Sequence, residues 1–440
     1  MLIAPHKLIV ALLFVPLFIG GCRGCSSGVD SPGTLEHGSQ PRLQSPRVDP
    51  DSRLSYQAWT TRFAFDLLAA LEEEVEGDLI FSPLVVAEGL GRLYAAAPQA
   101  HATDMEEFYF LKAGDAVHHL FNELDIRLAT HAQEARFHFD HRAAVVVDER
   151  LEVNHSFLNM LSHHYGDGIH RLDLRGDPQE SGRAVQRWID GHSGPLRGPR
   201  IEPVEGEDGA DLIVATAASL QASWAFGFAP QETREHGFKP ADGQEIEVSM
   251  MVGRESDRTF DDGRSRAAAM LFDGGNLSLI AIKPASQEQD FRTWRQGFDG
   301  DAFSTVLEGL GGLVDGEVLL PRLGTASSLD LTQALERIDF PALRQQKPVD
   351  LSGMLDSSTE EPVRLEKVLH GASLQIGERG VGQAPRRSSG SAADLPTGPS
   401  KGDQTMVIFD RPFLILIHDA GANAILMLGV VHTPREATNF

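Results

Sequence analysis

Few residues in this 440-residue chain have the types and spacing needed to act on a substrate. The two cysteines, Cys22 and Cys25, both lie near the N-terminus, which leaves the rest of the chain without a disulfide or a thiolate nucleophile. Beyond the N-terminal Gly24–Gly28 no Gly-x-Ser-x-Gly occurs, and Ser-x-x-Lys and His-Glu-x-x-His are absent, so hydrolase chemistry in the body of the chain lacks both a nucleophile and a metal. His163, His164 and His170 lie close in sequence, but without a zinc-like ligand spacing they read as a solvated helix face. The chemistry left is that of a substrate. After Glu378 comes a long stretch of small and polar residues that returns to apolar sequence at MVIFDRPF. A surface loop of this kind is where proteases nick chains.

The segments around that loop must hold it in place. LEKVLHGASLQIG before it and FLILIHDAGANAILMLGVV after it read as strands, the latter as two strands joined by a tight Gly-containing turn. Trp59, Phe63, Leu67 and Leu71 recur every four residues and lay an apolar stripe along a helix. In DLIFSPLVVAEGLG a short strand ends at Ser82, and Pro83 fits the first turn of a helix, where its missing N–H is not needed. Ala143–Val147 and NLSLIAIKP read as strands, HSFLNMLSHHY and VQRWIDGHSG as helices. LLPRLGTASSLDLTQALERIDF reads as a strand followed by a helix with Leu331, Leu335 and Ile338 on one face. No repeat of 20 to 50 residues is visible.

Val368, Leu369 and His370, then Glu378 and Gly380, then Phe409, Pro412 and Phe413 stand in the order of a serpin's reactive-loop region. The run LIVATAASLQASWAFGF, with Phe228, Thr233, Phe238 and Met251 after it, resembles the serpin strand that carries a tryptophan where the loop enters the central sheet. The resemblance covers about residues 54 to 435. It implies an α+β fold: a mixed multi-helix domain with a large central β-sheet, further sheets and an exposed reactive loop at about 378–408. It also implies a suicide-substrate inhibitor of serine or cysteine endopeptidases, with no cofactor and no catalytic residue of its own. In that reading Glu378, Gly380, Val381 and Gly382 form the hinge. Trp224 stands at the breach, and Ser82, Thr216 and His370 belong to the gate of the sheet. The usual serpin partners of the gate histidine are replaced here by Val85 and Thr216.

The hinge departs from the family pattern. If alternate residues tuck beneath the sheet, Val381, Gln383, Pro385 and Arg387 turn inward. Pro385 removes a ladder N–H from a central strand, and Arg387 buries a charge at a cost of several kcal/mol unless paired. Counted forward from Glu378, the family's scissile position falls at Asp394, before Leu395. Counted back from Phe409 it falls at Lys401, so the loop carries seven extra residues. If Lys401 is cut, that slack is roughly 24 Å of extended chain. Asp394, Leu395, Lys401 and Arg387 are all scissile candidates. A second reading therefore stands beside the inhibitor: a serpin-fold binding protein, or a protease substrate, with impaired loop insertion.

Composition fits either reading. Hydrophobic residues make up 41% and charged residues 23%, ordinary for a chain with a large core. The formal charge of -24 and the lack of a basic stripe argue against nucleic acid, and a monomer is expected.

Residues 1–21 read as an export signal, with Lys7 ahead of an apolar run too short to span a membrane comfortably. Ile19, Gly20, Gly21 and Cys22 resemble a bacterial lipoprotein box, which makes Cys22 the expected lipidation site and membrane anchor; the alternatives are a plain secretory signal cut nearby and a Cys22–Cys25 link without lipid. The chain is thus expected outside the cytoplasm, tethered to a membrane facing the periplasm or cell exterior, or extracellular. Residues 22–53, rich in Ser, Pro and Gly, read as a flexible linker, with the folded domain over 54–440.

Overall fold

The computed structural model describes residues 31–98, 101–109, 116–135, 137–199, 210–241, 243–253, 258–310, 316–356, 362–382 and 405–436. Cys22 and Cys25, and the scissile candidates Arg387, Asp394, Leu395 and Lys401 of the expected reactive loop, lie outside them.

The first helix, α1 (Pro50–Glu72), starts where Asp49 accepts a hydrogen bond from the Ser52 N–H and Pro50 occupies the first turn. The stripe Trp59, Phe63, Leu67 and Leu71 is buried, with Trp59 and Phe63 stacked at 5.0 Å. The start expected at Leu54 therefore lies inside this helix. The linker reading of residues 22–53 also fails from Thr34 onward. Thr34–His37 is a strand, β1, at the edge of the central sheet, because its backbone finds ladder partners there that composition does not reveal.

The central sheet has seven strands among the described residues. In spatial order they are β1, β4 (Gly168–Leu172), β3 (His138–Asp148), β5 (Leu212–Ser223), β14 (Gly380–Val381), β13 (Leu365–Gly377) and β12 (Leu323–Asp330). A six-stranded sheet holds β2 (Leu79–Phe81), β17 (Ala424–Val431), β16 (Phe413–Asp419), β10 (Leu277–Pro284), β9 (Ser265–Leu271) and β8 (Arg258–Asp261). Every residue of β16 and β17 is buried, which explains why both read as unbroken apolar runs and not as alternating strands. A four-stranded sheet holds β15 (Thr405–Ile408), β11 (Gly316–Pro321), β7 (Ile246–Gly253) and β6 (Arg234–Phe238).

Helix α2 (Pro83–Gly91) fills the space between sheets, packing on β17 on one side and on β3 and β5 on the other. Ser82 caps it, and Gly89 lets it approach β5: a Cβ there would stand 2.8 Å from the Thr216 methyl. The other helices are α3 (Ala102–Phe108), α4 (Ala116–Ala135), α5 (His155–Tyr165), α6 (Pro178–His192), α7 (Phe291–Gln296), α8 (Gly300–Gly309) and α9 (Thr332–Arg337). Helix α6 lies across the central sheet, where a Cβ at Gly371 would meet the Ile189 side chain at 2.3 Å.

Two further expectations need correction. The histidines read as a solvated face are largely inside: His164 and His170 are buried, with His164 stacked on His118 at 5.4 Å. Between the Leu-Pro strand and α9 the chain also inserts β12, whose alternating burial forms the far edge of the central sheet.

Candidate functional site

The hinge is a hairpin that ends inside the central sheet. Strand β13 runs to Gly377, Glu378 and Arg379 make the turn, and β14 returns antiparallel with Gly377 opposite Gly380 and Ile376 opposite Val381. On its other side β14 pairs antiparallel with β5, Gly380 opposite Ser223 and Val381 opposite Ala222. Gly382 continues the line, its N–H donating to the Gln375 carbonyl at 2.7 Å. Beyond that point β5 and β13 pair directly, in parallel, from Ser219 and Ser373 to Leu212 and Leu365. The two strands are therefore wedged apart at one end by the first hinge residues and closed along the rest.

Glycine is required at the wedge. Gly380 has φ +152°, and a Cβ there would lie 1.9 Å from the Ala222 carbonyl oxygen; Gly382 has φ +66°. Val381 is buried.

Trp224, at the end of β5, holds the hairpin through both its polar groups. Its indole N–H donates to the Gly377 carbonyl at 2.8 Å and its backbone N–H to Arg379 at 3.1 Å, while its ring stacks on Phe272 at 4.5 Å. Glu378 is fixed from three sides. Its carboxylate accepts from Thr233 Oγ1 at 2.7 Å and from Arg322 Nε at 2.8 Å, and its carbonyl accepts from the Phe228 N–H at 3.0 Å. Burial by itself raises the Glu378 carboxyl, but the bonds from Arg322 and Thr233 outweigh it and hold the group below its ordinary value.

Midway down the closed seam, His370 on β13 is fully buried between β5 and the start of α2. The Ser82 backbone N–H donates to His370 Nε2 at 3.0 Å, so that nitrogen carries the lone pair. Nδ1 then bears the proton and donates to Thr216 Oγ1 at 2.8 Å, and Thr216 donates in turn to the Leu369 carbonyl at 3.1 Å. Ser82 Oγ donates to the Leu426 carbonyl of β17 at 2.5 Å. One imidazole thus ties both sides of the seam to the layer beneath. Burial drives its pKa down to about 3, so it is neutral. Thr216 serves as a partner, whereas Val85 contributes only a backbone N–H, to Ser82 Oγ at 3.3 Å.

The seam has two further fastenings. Ser373 Oγ donates to the carbonyl of Ser193 at the end of α6, at 2.6 Å. At the far end, between Leu365 and Lys367, the register slips by one residue and Glu366 occupies the bulge. Burial, then the Asp211 carboxylate, raise its carboxyl to about 7, against the pull of the Asp211 and Leu212 amides and Arg175. Its Oε2 is buried without a hydrogen-bond partner.

The structure thus brings together Glu378, Gly380, Val381, Gly382 and Trp224 at one end of the seam, and Ser82, Thr216 and His370 midway. Arg322, Ser373 and Glu366 complete the seam without having been singled out from the sequence. A lone arginine after Leu320 and Pro321, and a glutamate next to Lys367, carry no local signal of such a role. The described residues hold no cluster of three or more His, Cys, Asp or Glu arranged to bind a metal.

Residues 58–434 match the family model described as "Serpin (serine protease inhibitor)". The chain is 20% identical to an "Uncharacterized serpin-like protein" of Methanosarcina mazei, over 97% of this chain and 98% of that protein. It is 21% identical to neuroserpin of Mus musculus, over 88% and 92%. Among solved structures, native tengpin, a thermophilic serpin, superposes with TM-score 0.75 at 16% identity, covering 90% of this chain and 97% of that one. Native protease nexin-1 with heparin superposes with TM-score 0.73 at 15% identity, covering 87% and 100%. The chain belongs to the serpin family, whose members are typically protease inhibitors and not enzymes.

Proposed function

We propose that the protein inhibits serine-type endopeptidases as a suicide substrate, through insertion of its cleaved loop between β5 and β13. The observation that carries this reading is β14: the strand to be inserted has its first two residues already in the ladder, with the rest of the seam shut. Cleavage beyond the hinge frees the remaining loop to extend β14 down the seam, and strand addition with release of stored strain is how the fold converts a nick into trapping. The acyl-enzyme is captured only if insertion outpaces hydrolysis.

A second reading draws on the loop sequence. Pro385 has no N–H to give to a ladder and Arg387 would carry a charge inward on insertion, so both would slow that step. The seven extra residues before Lys401 loosen the hold on a trapped protease. The inhibitor reading leads, with many encounters ending in turnover. Denaturing gels with a trypsin-like protease test this: the expected result is a minor covalent complex beside abundant cleaved chain. Replacing Pro385, Arg386 and Arg387 by Ala and deleting seven residues between Ser388 and Ser400 is expected to enlarge the complex band. Cleavage with no complex in either protein favours a substrate or binding role. The protein is further proposed to act outside the cytoplasm as a monomer, held to a membrane through lipidated Cys22.

A further inference from the structure

The register slip at Glu366 lays a carboxyl group across the foot of the seam. Leu365 lies opposite Leu212 and Lys367 opposite Ile213, so Glu366 has no ladder partner of its own. Its carboxylate accepts from the backbone N–H groups of Asp211 and Leu212, at the start of β5, while its Oε2 is buried without a hydrogen-bond partner. The Asp211 carboxylate stands close by, and the Arg175 guanidinium near both is paired with Asp211. Asp148, whose N–H donates to the Asp211 carbonyl at 2.9 Å, accepts from Arg150 Nε at 2.8 Å and from the Arg175 N–H at 3.1 Å. On its other side Glu366 lines a groove with Glu74, Asp330, Thr332, Gln333 and Lys367. There Lys367 Nζ donates to Asp330 at 2.9 Å and Glu74 pairs with Arg337. Arg175 and Lys367 thus each serve another acid, and Glu366 and Asp211 confront one another across the seam.

Insertion breaks these contacts directly, because Glu366 belongs to β13 whereas Asp211 and Leu212 belong to the start of β5. A strand admitted between them moves them apart by about 4.8 Å. That gives up the bonds from the two amides, but it also separates two shielded carboxylates, whose repulsion falls with distance and with access to water. One proton decides the balance. Burial, then the Asp211 carboxylate, raise the Glu366 carboxyl to about 7 in the closed seam, so the closed form holds a proton that the parted form releases more readily. The inserted form therefore gains on the closed one as pH rises from about 4.5 through 7. The ladder also says which cuts reach this end. Val381 lies opposite Ala222, and Leu212 is ten residues further along β5. A cut before Asp394 leaves twelve residues beyond Val381, and the last six, Ser388 to Ala393, bring no charge. A cut after Arg387 leaves six, which end opposite Thr216 in the same register.

We infer that Glu366 and Asp211 form a proton-operated latch at the foot of the seam: a proton on Glu366 keeps β5 and β13 together there, and its loss drives them apart and favours full insertion of the cleaved loop. This rests on the insertion reading above. The test compares guanidinium unfolding of the full chain, intact and nicked, at pH 5.5 and 8. An aspartate-specific protease makes the cut before Asp394 and a trypsin-like one the cut after Arg387, both at a single pH before transfer. The stability gained on cutting before Asp394 is expected to reflect a preference for the inserted form about tenfold greater at pH 8 than at pH 5.5, about 1.4 kcal/mol. Glu366→Gln is expected to gain equally at both pH values, as is the parent cut after Arg387. A parent gain that ignores pH, or a pH dependence that persists in Glu366→Gln or after the cut at Arg387, overturns the latch alone. No gain at either pH after either cut overturns the insertion reading, and the latch with it.

Discussion

Arg322, just after β11, donates from Nε to the Glu378 carboxylate at 2.8 Å and so pins the turn that feeds β14 into the central sheet. Both side chains are mostly shielded from water, at 29% and 12% exposed, so the pair is screened less than a surface bridge. Arg322→Ala is expected to destabilise the intact protein by about 1–3 kcal/mol, the range for losing a partner of a shielded charged group. Because the folded Glu378 carboxyl lies below its ordinary value of 4.5, this contribution is complete above that pH and disappears as pH falls through the folded value. Urea melts at pH 7 and pH 4 check both the size and the sign.

His370 is neutral in the folded protein and its pKa lies at about 3, below the ordinary 6.5. As pH falls from about 6.5 toward 3 the unfolded chain takes up a proton that the folded one refuses, so stability falls over that window. His370→Leu removes that slope, leaves the buried Ser82 N–H without its acceptor at a cost of about 1–3 kcal/mol, and takes the imidazole donor from Thr216 Oγ1, which keeps its bond to the Leu369 carbonyl. The variant is expected to be less stable at pH 7 yet less sensitive to acid, read from thermal melts between pH 4 and 7.

Glu366 works in the opposite sense. Its folded pKa of about 7 stands above the ordinary 4.5, so the folded state binds the proton more tightly, and this residue's contribution to stability falls as pH rises from about 4.5 through 7. Glu366→Gln is expected to raise the melting temperature at pH 8 and to change it little at pH 4.5. A lower melting temperature at pH 8 would show that the charged form is needed at the bulge.

The proposed membrane attachment through Cys22 predicts that Cys22→Ala moves the protein from the membrane to the soluble fraction of cells that make it. An unchanged membrane fraction would count against lipidation.

The parts of this molecule legible in its sequence are those where one residue type is required by local geometry. Gly380 and Gly382 had to be glycine, Trp224 and His370 sit in apolar strands where a polar ring must find a partner, and Pro83 stands where a helix starts. Even the replacement at Thr216 was visible, although only the structure shows that its hydroxyl takes the imidazole proton. The edge strand Thr34–His37 was not legible. It has one apolar residue, Leu35, and docks through backbone ladders and glycine contacts that depend on chain distant in sequence. The Asp49-Pro50 helix start was there to be read, but the polar composition around it favoured a linker. The burial of His164 and His170 was missed for a related reason: their neighbours His118 and Ser31 come from other segments.

The central claim is that the closed seam between β5 and β13 accepts the loop once it is cut. Circular-dichroism melts of the purified protein, intact and after nicking between Gly390 and Lys401, test it most directly. Extending β14 down the seam adds ladder pairing on both sides and buries its inward side chains, so the nicked protein is predicted to melt at a markedly higher temperature. Equal melting temperatures before and after nicking would contradict the account.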